Sequence, residues 1–319
     1  MAALSKSTRR RSASDPAAAP AVAHVATELG QRQTPTPGAT GRASSRTDWV
    51  SGFCPATLVL SLALSACTTV QTTQPGAVGV QRKQTMVVSE ASVEQGAQQA
   101  YIGELHKAEA GGKLNTDAAL TARIRRITDR LIPVTGAFRP DAPDWKWEVN
   151  TLTTPEMNAY AMPGGKIMVY SGLVEKLQLS DGEIAAVLGH EISHALREHT
   201  RERVSRVYEE QVALAGLAVL TGAGAGTMDL AGQVASATFE LPHDRQQEAE
   251  ADVMGLELMA RAGYDPHEAI TLWKKMMAAE KSEPPQFLST HPASMNRIAE
   301  LERHMPQVVP LYLTAMQQK

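Results

Sequence analysis

The sequence predicts a mainly helical α+β domain. Thr116 to Leu131 carries apolar residues at the three- and four-residue spacing of one helix face. Ser180 and Glu183 have the spacing of a capping box, which predicts that another helix begins there. The one convincing extended segment is Lys166 to Tyr170 (KIMVY), which is rich in strand-forming residues and follows a Pro-Gly-Gly turn.

Composition excludes several classes of protein. The chain has 319 residues, of which 43% are hydrophobic and 20% charged, so it is not collagen-like, wholly disordered or a polytopic membrane protein. Its 34 acidic residues outnumber 31 basic ones, and no nucleic-acid partner is expected. The only cysteines are Cys54 and Cys67, which excludes a cysteine-based metal or nucleophile site farther along the chain.

The N-terminal part has the features of a secretion leader. Residues 1–50 have a disordered composition, and a start codon placed too far upstream would also explain them. Phe53 to Ala66 carries no charge and has the length of the apolar part of a signal peptide. Leu64-Ser65-Ala66-Cys67 resembles a bacterial lipobox, so we expect residues 1–66 to be removed and Cys67 to be lipidated.

Two other interpretations of this part remain open. The apolar run could be a short core helix that happens to end in cysteine, or residues 1–46 could be a mitochondrial transit peptide, although the lipobox setting of Cys67 argues against the latter. Under the lipoprotein interpretation, 67–85 is a lipidated tether and 86–319 is the folded domain. Thr68 is not the aspartate that favours inner-membrane retention, so the outer membrane is favoured over the inner.

Gly189-His190-Glu191-Ile192-Ser193-His194 has the form H-E-x-x-H inside the helix predicted from Ser180. Four residues advance a helix by about 400°, so His190 and His194 project from one face and can bind one Zn²⁺. Glu191 lies beside that face and can act as a general base toward water. The motif therefore predicts a hydrolytic zinc site.

A third ligand must come from elsewhere in the chain. His199 is nine residues past His190, which corresponds to about 900° of helix rotation, so His199 is expected to point away from the site. Glu248 and Asp252 share a face of a later Ala- and Glu-rich helix. Glu248 could bind zinc while Asp252 accepts the N–H of a zinc-bound histidine. Their spacing alone favours an ordinary solvated acidic face over a metal site.

The combined motifs resemble the M48 family of zinc metallopeptidases over most of 86–319. Besides H-E-x-x-H and the later E-x-x-A-D, the matching segments are Asn158–Gly165, Ala262–Pro266 and Ser289–Pro292. The resemblance implies a zincin-like domain with a small β-sheet next to the H-E-x-x-H helix. It also implies one Zn²⁺ per chain, bound by His190, His194 and Glu248.

The resemblance further suggests roles for residues around the metal. His291 and Arg297 correspond to residues that approach the zinc in relatives, where they could donate to the oxyanion, or His291 could cap the resting metal. His291 could alternatively cap or pack a C-terminal helix. Substrate is expected to pair with the edge of the strand Lys166–Tyr170, unless that strand is an interior one. The expected substrate-binding residues are Asn158, Lys166, Ile167, Met168 and Val169.

Gln211 to Met228 carries no charge for 18 residues. It is interpreted as a buried or membrane-facing helix that ends in a Gly-rich lid, with a membrane span as the alternative.

The leading functional hypothesis is a lipid-anchored zinc endopeptidase on the periplasmic side of a bacterial envelope. Its expected substrates are misfolded or misassembled proteins, and its partners could include envelope assembly machinery. One alternative is a chaperone or assembly factor with latent proteolysis. The other is an integral membrane protease, which would require 211–228 to span the bilayer.

Overall fold

The structure, a computed structural model, describes residues 68–221, 229–280, 285–292 and 294–318, with the backbone alone described over 214–221. The expected leader 1–66 and lipidation site Cys67 lie outside these residues. The strands are β1 (Thr68–Val70), β2 (Gln84–Met86), β3 (Glu148–Leu152), β4 (Ala159–Met162) and β5 (Lys166–Tyr170). The helices are α1 (Glu90–Ala110), α2 (Ala118–Leu131), α3 (Ser171–Lys176), α4 (Asp181–Leu196), α5 (His199–Thr221), α6 (Leu230–Phe239), α7 (Arg245–Arg261), α8 (His267–Glu280), α9 (Phe287–Thr290) and α10 (Met295–Gln317). The mainly helical α+β fold is thus confirmed.

Two helices begin where the sequence places them. Asp117 caps α2 by accepting the backbone N–H of Leu120, and the apolar face of α2 is buried. The Ser180 side chain accepts the N–H of Glu183, and the Glu183 carboxylate accepts that of Ser180, so α4 begins with the predicted capping box. α4 is buried along its whole length, which fixes the two histidines within the core.

The tether expected over 67–85 is corrected by the structure from Thr68 onward. β1 and β2 pair antiparallel, with Thr68 opposite Met86. In the segment between them, the backbone N–H groups of Ala77 and Val78 donate to the Glu257 carboxylate at 2.7 and 3.0 Å. The sparse charges of this segment suggested a solvated linker, but its polar groups find partners on the domain instead.

The central strand of the larger sheet is β5. The strand order is β3-β5-β4, with β5 parallel to β3 and antiparallel to β4. Both edges of β5 are therefore paired, and the expectation that Lys166–Val169 offers an edge to substrate is wrong. The apolar KIMVY run reflects burial inside the sheet. The strand edge on the side of α4 belongs to β4.

Two glycines allow α4 and α7 to cross closely. A Cβ on Gly189 would lie 2.8 Å from the carbonyl oxygen of Gly255, and a Cβ on Gly255 would lie 2.7 Å from the backbone nitrogen of His190. Larger residues at either position would force the helices apart. The close crossing brings the start of α7 within reach of the α4 histidines.

The structure describes only part of the uncharged segment 211–228. α5 includes 211–221, and Gln211, Val212 and Ala213 are exposed, so the segment does not start as a buried helix. The expected lid at 222–228 lies outside the described residues. Within the described ranges, none of the helices combines the length and apolarity needed to cross a membrane.

Candidate metal centre and active site

Four side chains meet at the crossing of α4 and α7. His190 and His194 lie one turn apart on α4, Glu248 lies in the first turn of α7, and His291 directly follows α9. All four are buried, and their ligating atoms lie within 4.8 Å of one another. The Nε2 atoms of His190 and His194 are 3.0 Å apart, and Glu248 Oε1 lies 3.4 Å from His194 Nε2. The structure thus brings together the residues that the resemblance implied as ligands.

The chemistry of these donor atoms fits a metal cation. Asp252 Oδ1 lies 3.0 Å from His190 Nδ1, and the tautomer that donates this bond leaves a lone pair on Nε2, facing His194 and Glu248. Burial lowers the pKa of His194 well below its usual range, which keeps the imidazole neutral. Tetrahedral zinc with bonds of about 2.0–2.1 Å separates its ligand atoms by roughly 3.3 Å, close to the distances here.

Glu248 has the charge that a metal ligand needs. Burial alone would raise the pKa of its carboxyl group, but His291 and Arg297 lower this pKa well below the usual range. His291 Nδ1 lies 2.9 Å from Glu248 Oε1, and Arg297 Nη1 lies 2.6 Å from Glu248 Oε2. An ionised carboxylate beside two imidazoles is a donor set that catalytic zinc takes.

Arg297 supports the α7 carboxylates rather than facing substrate. Its Nε and Nη2 atoms each donate to Asp252 at 2.6 Å, and its guanidinium stacks 3.6 Å above the ring of Trp273. Because these bonds and the ion pair with Glu248 occupy the guanidinium, the expected role of Arg297 as an oxyanion donor is corrected. Its contacts orient Glu248 and Asp252, and Asp252 in turn orients His190.

His199 reaches the site because α4 ends at Leu196. Glu198 adopts a left-handed conformation with φ 52°, and the chain turns before α5 begins at His199. The expectation that His199 points away assumed an unbroken helix and is wrong. His199 Nδ1 lies 2.8 Å from His194 Nδ1, so His199 holds the far side of that ring. A third histidine near them, His243, completes a buried group of three.

A network of charged groups extends from His199 to the N-terminal segment. His199 Nε2 lies 3.0 Å from Glu250 Oε2, which also accepts the Nε–H of Arg197 at 3.0 Å. Arg82, from the segment before β2, donates to both Glu250 and Glu202. Although burial favours the protonated acid, hydrogen bonds from His199 and Arg82 lower the pKa of Glu250 to about 2. This network therefore holds in place His199, the residue that contacts His194.

Glu191 lies beside the histidines with one oxygen unpartnered. Its Oε2 accepts the backbone N–H of Ala161 in β4 at 3.3 Å, whereas the buried Oε1 has no hydrogen-bond partner among the described residues. The ring Nε2 of His291 is 3.5 Å from that Oε1. Burial raises the pKa of Glu191, which makes its carboxylate a better base.

The cleft in front of Glu191 is nearly closed. Its cavity of about 20 Å³ has room for roughly one water molecule. His291 closes one side, with its ring stacked against Phe287 and against His243, at centroid distances of 4.4 and 4.7 Å. A cavity of this size cannot hold a peptide, so substrate entry requires part of its lining, to which Gln286, Thr290 and His291 belong, to move.

The edge of β4 lies along this cleft. Asn158 and Tyr160 bond to β5, so the backbone groups of Ala159 and Ala161 point to the other side by the alternation of an antiparallel pair. Asn158, predicted to contact substrate, lines the cavity, whereas Lys166–Val169 do not. Tertiary pairing, which the local pattern does not encode, decides which strand is exposed.

One further residue of the cleft, Arg203, is not predicted by the sequence pattern. Arg203 is buried in α5 and lines the same cavity as Glu191 and His194. In the sequence it belongs to a run of alternating charges, Arg201-Glu202-Arg203, which is typical of a solvated helix. No local pattern distinguishes it from its neighbours.

A buried H-E-x-x-H helix that meets a glutamate from a second helix defines a metallopeptidase site. Comparison with protein families agrees: residues 118–305 match the model of peptidase family M48, and the chain belongs to that family. The resemblance seen in the sequence motifs is thereby confirmed.

The similar proteins described below are OMA1 metalloendopeptidases and a beta-barrel assembly-enhancing protease. The chain is 35% identical to the mitochondrial metalloendopeptidase OMA1 of Schizosaccharomyces pombe over 193 residues, which cover 59% of this chain and 53% of that protein. The OMA1 protein of Saccharomyces cerevisiae is 36% identical over 52% of this chain and 49% of its own length. The beta-barrel assembly-enhancing protease of Escherichia coli is 27% identical over 67% of this chain and 45% of its own length. The chain therefore spans about half the length of these relatives.

Proposed function

We propose that this chain is a zinc endopeptidase that cleaves misfolded or misassembled proteins of a bacterial envelope. The observation that carries the proposal is the convergence of His190, His194 and Glu248 beside the base Glu191. His190, His194 and Glu248 would hold one Zn²⁺ per chain. When bound, the metal supplies a Lewis acid that polarises a peptide carbonyl and acidifies an attacking water.

Glu191 carries the proton in this mechanism. Its carboxylate takes a proton from the attacking water and then delivers it to the nitrogen of the leaving amine. The raised pKa and the unpartnered Oε1 suit both transfers. The N–H of Ala161 holds the other oxygen, so Oε1 faces the cleft.

Substrate binds as an additional strand in this proposal. The backbone carbonyls of Ala159 and Ala161 on β4 offer hydrogen bonds to an extended peptide, whereas their N–H groups already donate to Asn158 Oδ1 and Glu191 Oε2. Main-chain pairing is tolerant of sequence, which suits a protease that recognises unfolded segments. His291 lies where the reacting carbonyl would need room, so the closed cleft represents a resting state.

The purified full-length chain provides the central test, with Glu191→Gln as the variant and the exposed Glu302→Gln as its control. Wild type and control should bind one zinc per chain and cleave an unfolded protein. Glu191→Gln should keep the metal while kcat/KM falls by at least about a hundredfold. A wild-type chain without zinc, or a Glu191→Gln variant that cleaves normally, would contradict the assigned mechanism.

The closed cleft also favours a second function, assistance to envelope protein assembly with proteolysis held latent by His291. The name of one relative, beta-barrel assembly-enhancing protease, supports this context. His291→Ala distinguishes the two functions. If proteolysis is latent, the wild type cleaves weakly and the variant cleaves faster; a wild type that is already fully active excludes latency.

Anchoring through a lipid on Cys67 is part of the proposal and has its own test. Cells grown with labelled palmitate should label the wild type and Cys54→Ser but not Cys67→Ser. The labelled protein should then fractionate with the outer membrane. If the wild type carries no label, the proposal of a lipid anchor is wrong. If Cys67→Ser retains the label, the lipid is attached to another residue.

A further inference from the structure

Arg203 is a buried cation without a carboxylate partner. Its side chain lies in the second turn of α5 and its residue is only 6% exposed. The Nη1 group donates to the backbone carbonyl of Leu241 at 3.2 Å, and the buried Nε has no hydrogen-bond partner in the part of the chain that the structure describes. Among the described residues, no carboxylate oxygen lies within 4.0 Å of this guanidinium.

The other buried arginines near the site are paired. Arg197 contacts Glu250, and Arg297 contacts both Glu248 and Asp252. A buried charge without such a partner destabilises a fold. Burial lowers the pKa of Arg203 to about 10, yet the side chain stays protonated at neutral pH. The described part of the domain therefore gives Arg203 no counter-charge in direct contact, and Glu248, Asp244 and Glu191 act on it only from farther away.

Arg203 lies where a substrate could provide that charge. It lines the cleft cavity together with Glu191, His194 and Asn158, and Glu191 is the only acid among the described lining residues. Because Arg203 belongs to α5, it stays in place when the segment 286–291 withdraws to admit a peptide. The opened cleft would then present a positively charged group beside the reacting atoms.

We infer that Arg203 forms a carboxylate-binding subsite in the cleft. A guanidinium presents parallel N–H groups that match the two oxygens of a carboxylate. In a peptide, that carboxylate is either an acidic side chain near the cleaved bond or the free C-terminus. The inference rests on the proposed peptidase function and adds a substrate preference to it.

The test uses the full-length zinc-loaded protein and sets of matched peptides. One set carries Glu or Gln at each of three positions on either side of the cleaved bond, and another ends in a free carboxylate or an amide. For one of these pairs, the carboxylate form should have the higher kcat/KM. Which pair responds shows whether the side chain or the C-terminus is bound.

Arg203→Met is the informative variant, and Arg206→Met on the same helix is its control. Arg206 is about half exposed and pairs with Asp244. Arg203→Met should lower the carboxylate preference by about tenfold to a hundredfold. Arg206→Met should retain it. Because Arg203→Met removes an unpaired buried charge, the variant should unfold at the same urea concentration as wild type or a higher one.

A binding measurement separates this inference from the proposed function. Fluorescein-labelled peptides are titrated with the Glu191→Gln variant and with Glu191→Gln/Arg203→Met, and anisotropy reports the Kd. Tighter binding of the carboxylate peptide, lost in the double variant, supports the subsite even if no cleavage occurs. Equal preference in both proteins, or an Arg203→Met variant that unfolds at much lower urea, would assign Arg203 a structural role and overturn the inference.

Discussion

Arg82 and Glu250 form a two-point contact that links the N-terminal segment to the metal site. Arg82 Nε donates to Glu250 Oε1 at 2.7 Å, and Nη2 donates to Oε2 at 3.1 Å. Glu250 in turn contacts His199, which holds His194. The segment before β2 is therefore a structural part of the active site.

Removal of Arg82 should destabilise the domain. Arg82→Ala leaves Glu202 and Glu250 as adjacent buried carboxylates, and the free energy of unfolding should fall by on the order of 3 kcal/mol. Urea unfolding measures this change. Lys83→Ala removes the next charge, which is exposed, and should change stability by less than about 0.5 kcal/mol. Equal effects of the two variants would contradict the proposed link.

Acid should weaken the same network. The pKa values of Glu202 and Glu250 are lowered from 4.5 to about 2 because their arginine, histidine and glutamine partners outweigh the effect of burial. A depressed carboxyl pKa stabilises the fold above about pH 4.5, and this stabilisation is lost as the pH falls toward 2.

Glu250→Gln cannot titrate, so its stability should fall less steeply than that of the wild type between pH 4.5 and 2. Urea unfolding at a series of pH values, with a chelator present, measures the slope without a contribution from metal release. Glu302→Gln, an exposed change, should follow the wild-type curve. Parallel curves for Glu250→Gln and wild type would show that this carboxylate does not contribute.

Zinc affinity should depend on Asp252. Its carboxylate accepts from His190 and is itself held by Arg297. Asp252→Asn should weaken zinc binding by about tenfold to a hundredfold, as measured by competition with a chromophoric chelator. Asp129→Asn, an exposed change on α2, should leave the affinity unchanged. Unaltered affinity in Asp252→Asn would contradict the orienting role.

The glycine contact between α4 and α7 should tolerate no methyl group. In Gly255→Ala, the new Cβ meets the backbone of Gly189 and His190, which cannot move without displacing the histidine. Thermal unfolding should show a loss of about 1–3 kcal/mol, and zinc affinity should fall as well. In Gly103→Ala in α1, the new Cβ meets no atom of the described residues within 4 Å, and the change should instead stabilise the helix by about 0.5–1 kcal/mol.

Local pattern predicts the parts of this site that lie on one element. The capping box, the strand bounds 166–170 and the shared face of His190 and His194 follow from spacings of two to four residues. Glu248 is different, because spacing alone also allowed a solvated acidic face. The family motif was needed to place it beside the histidines.

Contacts between residues that are far apart in the sequence explain why some predictions were wrong. Arg82 lies 168 residues before Glu250, and no periodicity links them. The turn at Glu198 depends on a single left-handed residue, which redirects His199 toward His194. The order of β3, β5 and β4 depends on tertiary pairing, so an apolar run could not show which strand is at the edge.

If Cys67 carries a lipid, the folded segment between β1 and β2 also limits how far the domain can move from the membrane. β1 starts at Thr68, the residue after Cys67. A flexible linker of the same length would allow the domain to move by roughly 23 Å from its lipid anchor. Because this segment is folded, a lipid on Cys67 would hold the catalytic cleft at a nearly constant height above the bilayer. Proximity to the membrane would then select which unfolded chains are cut.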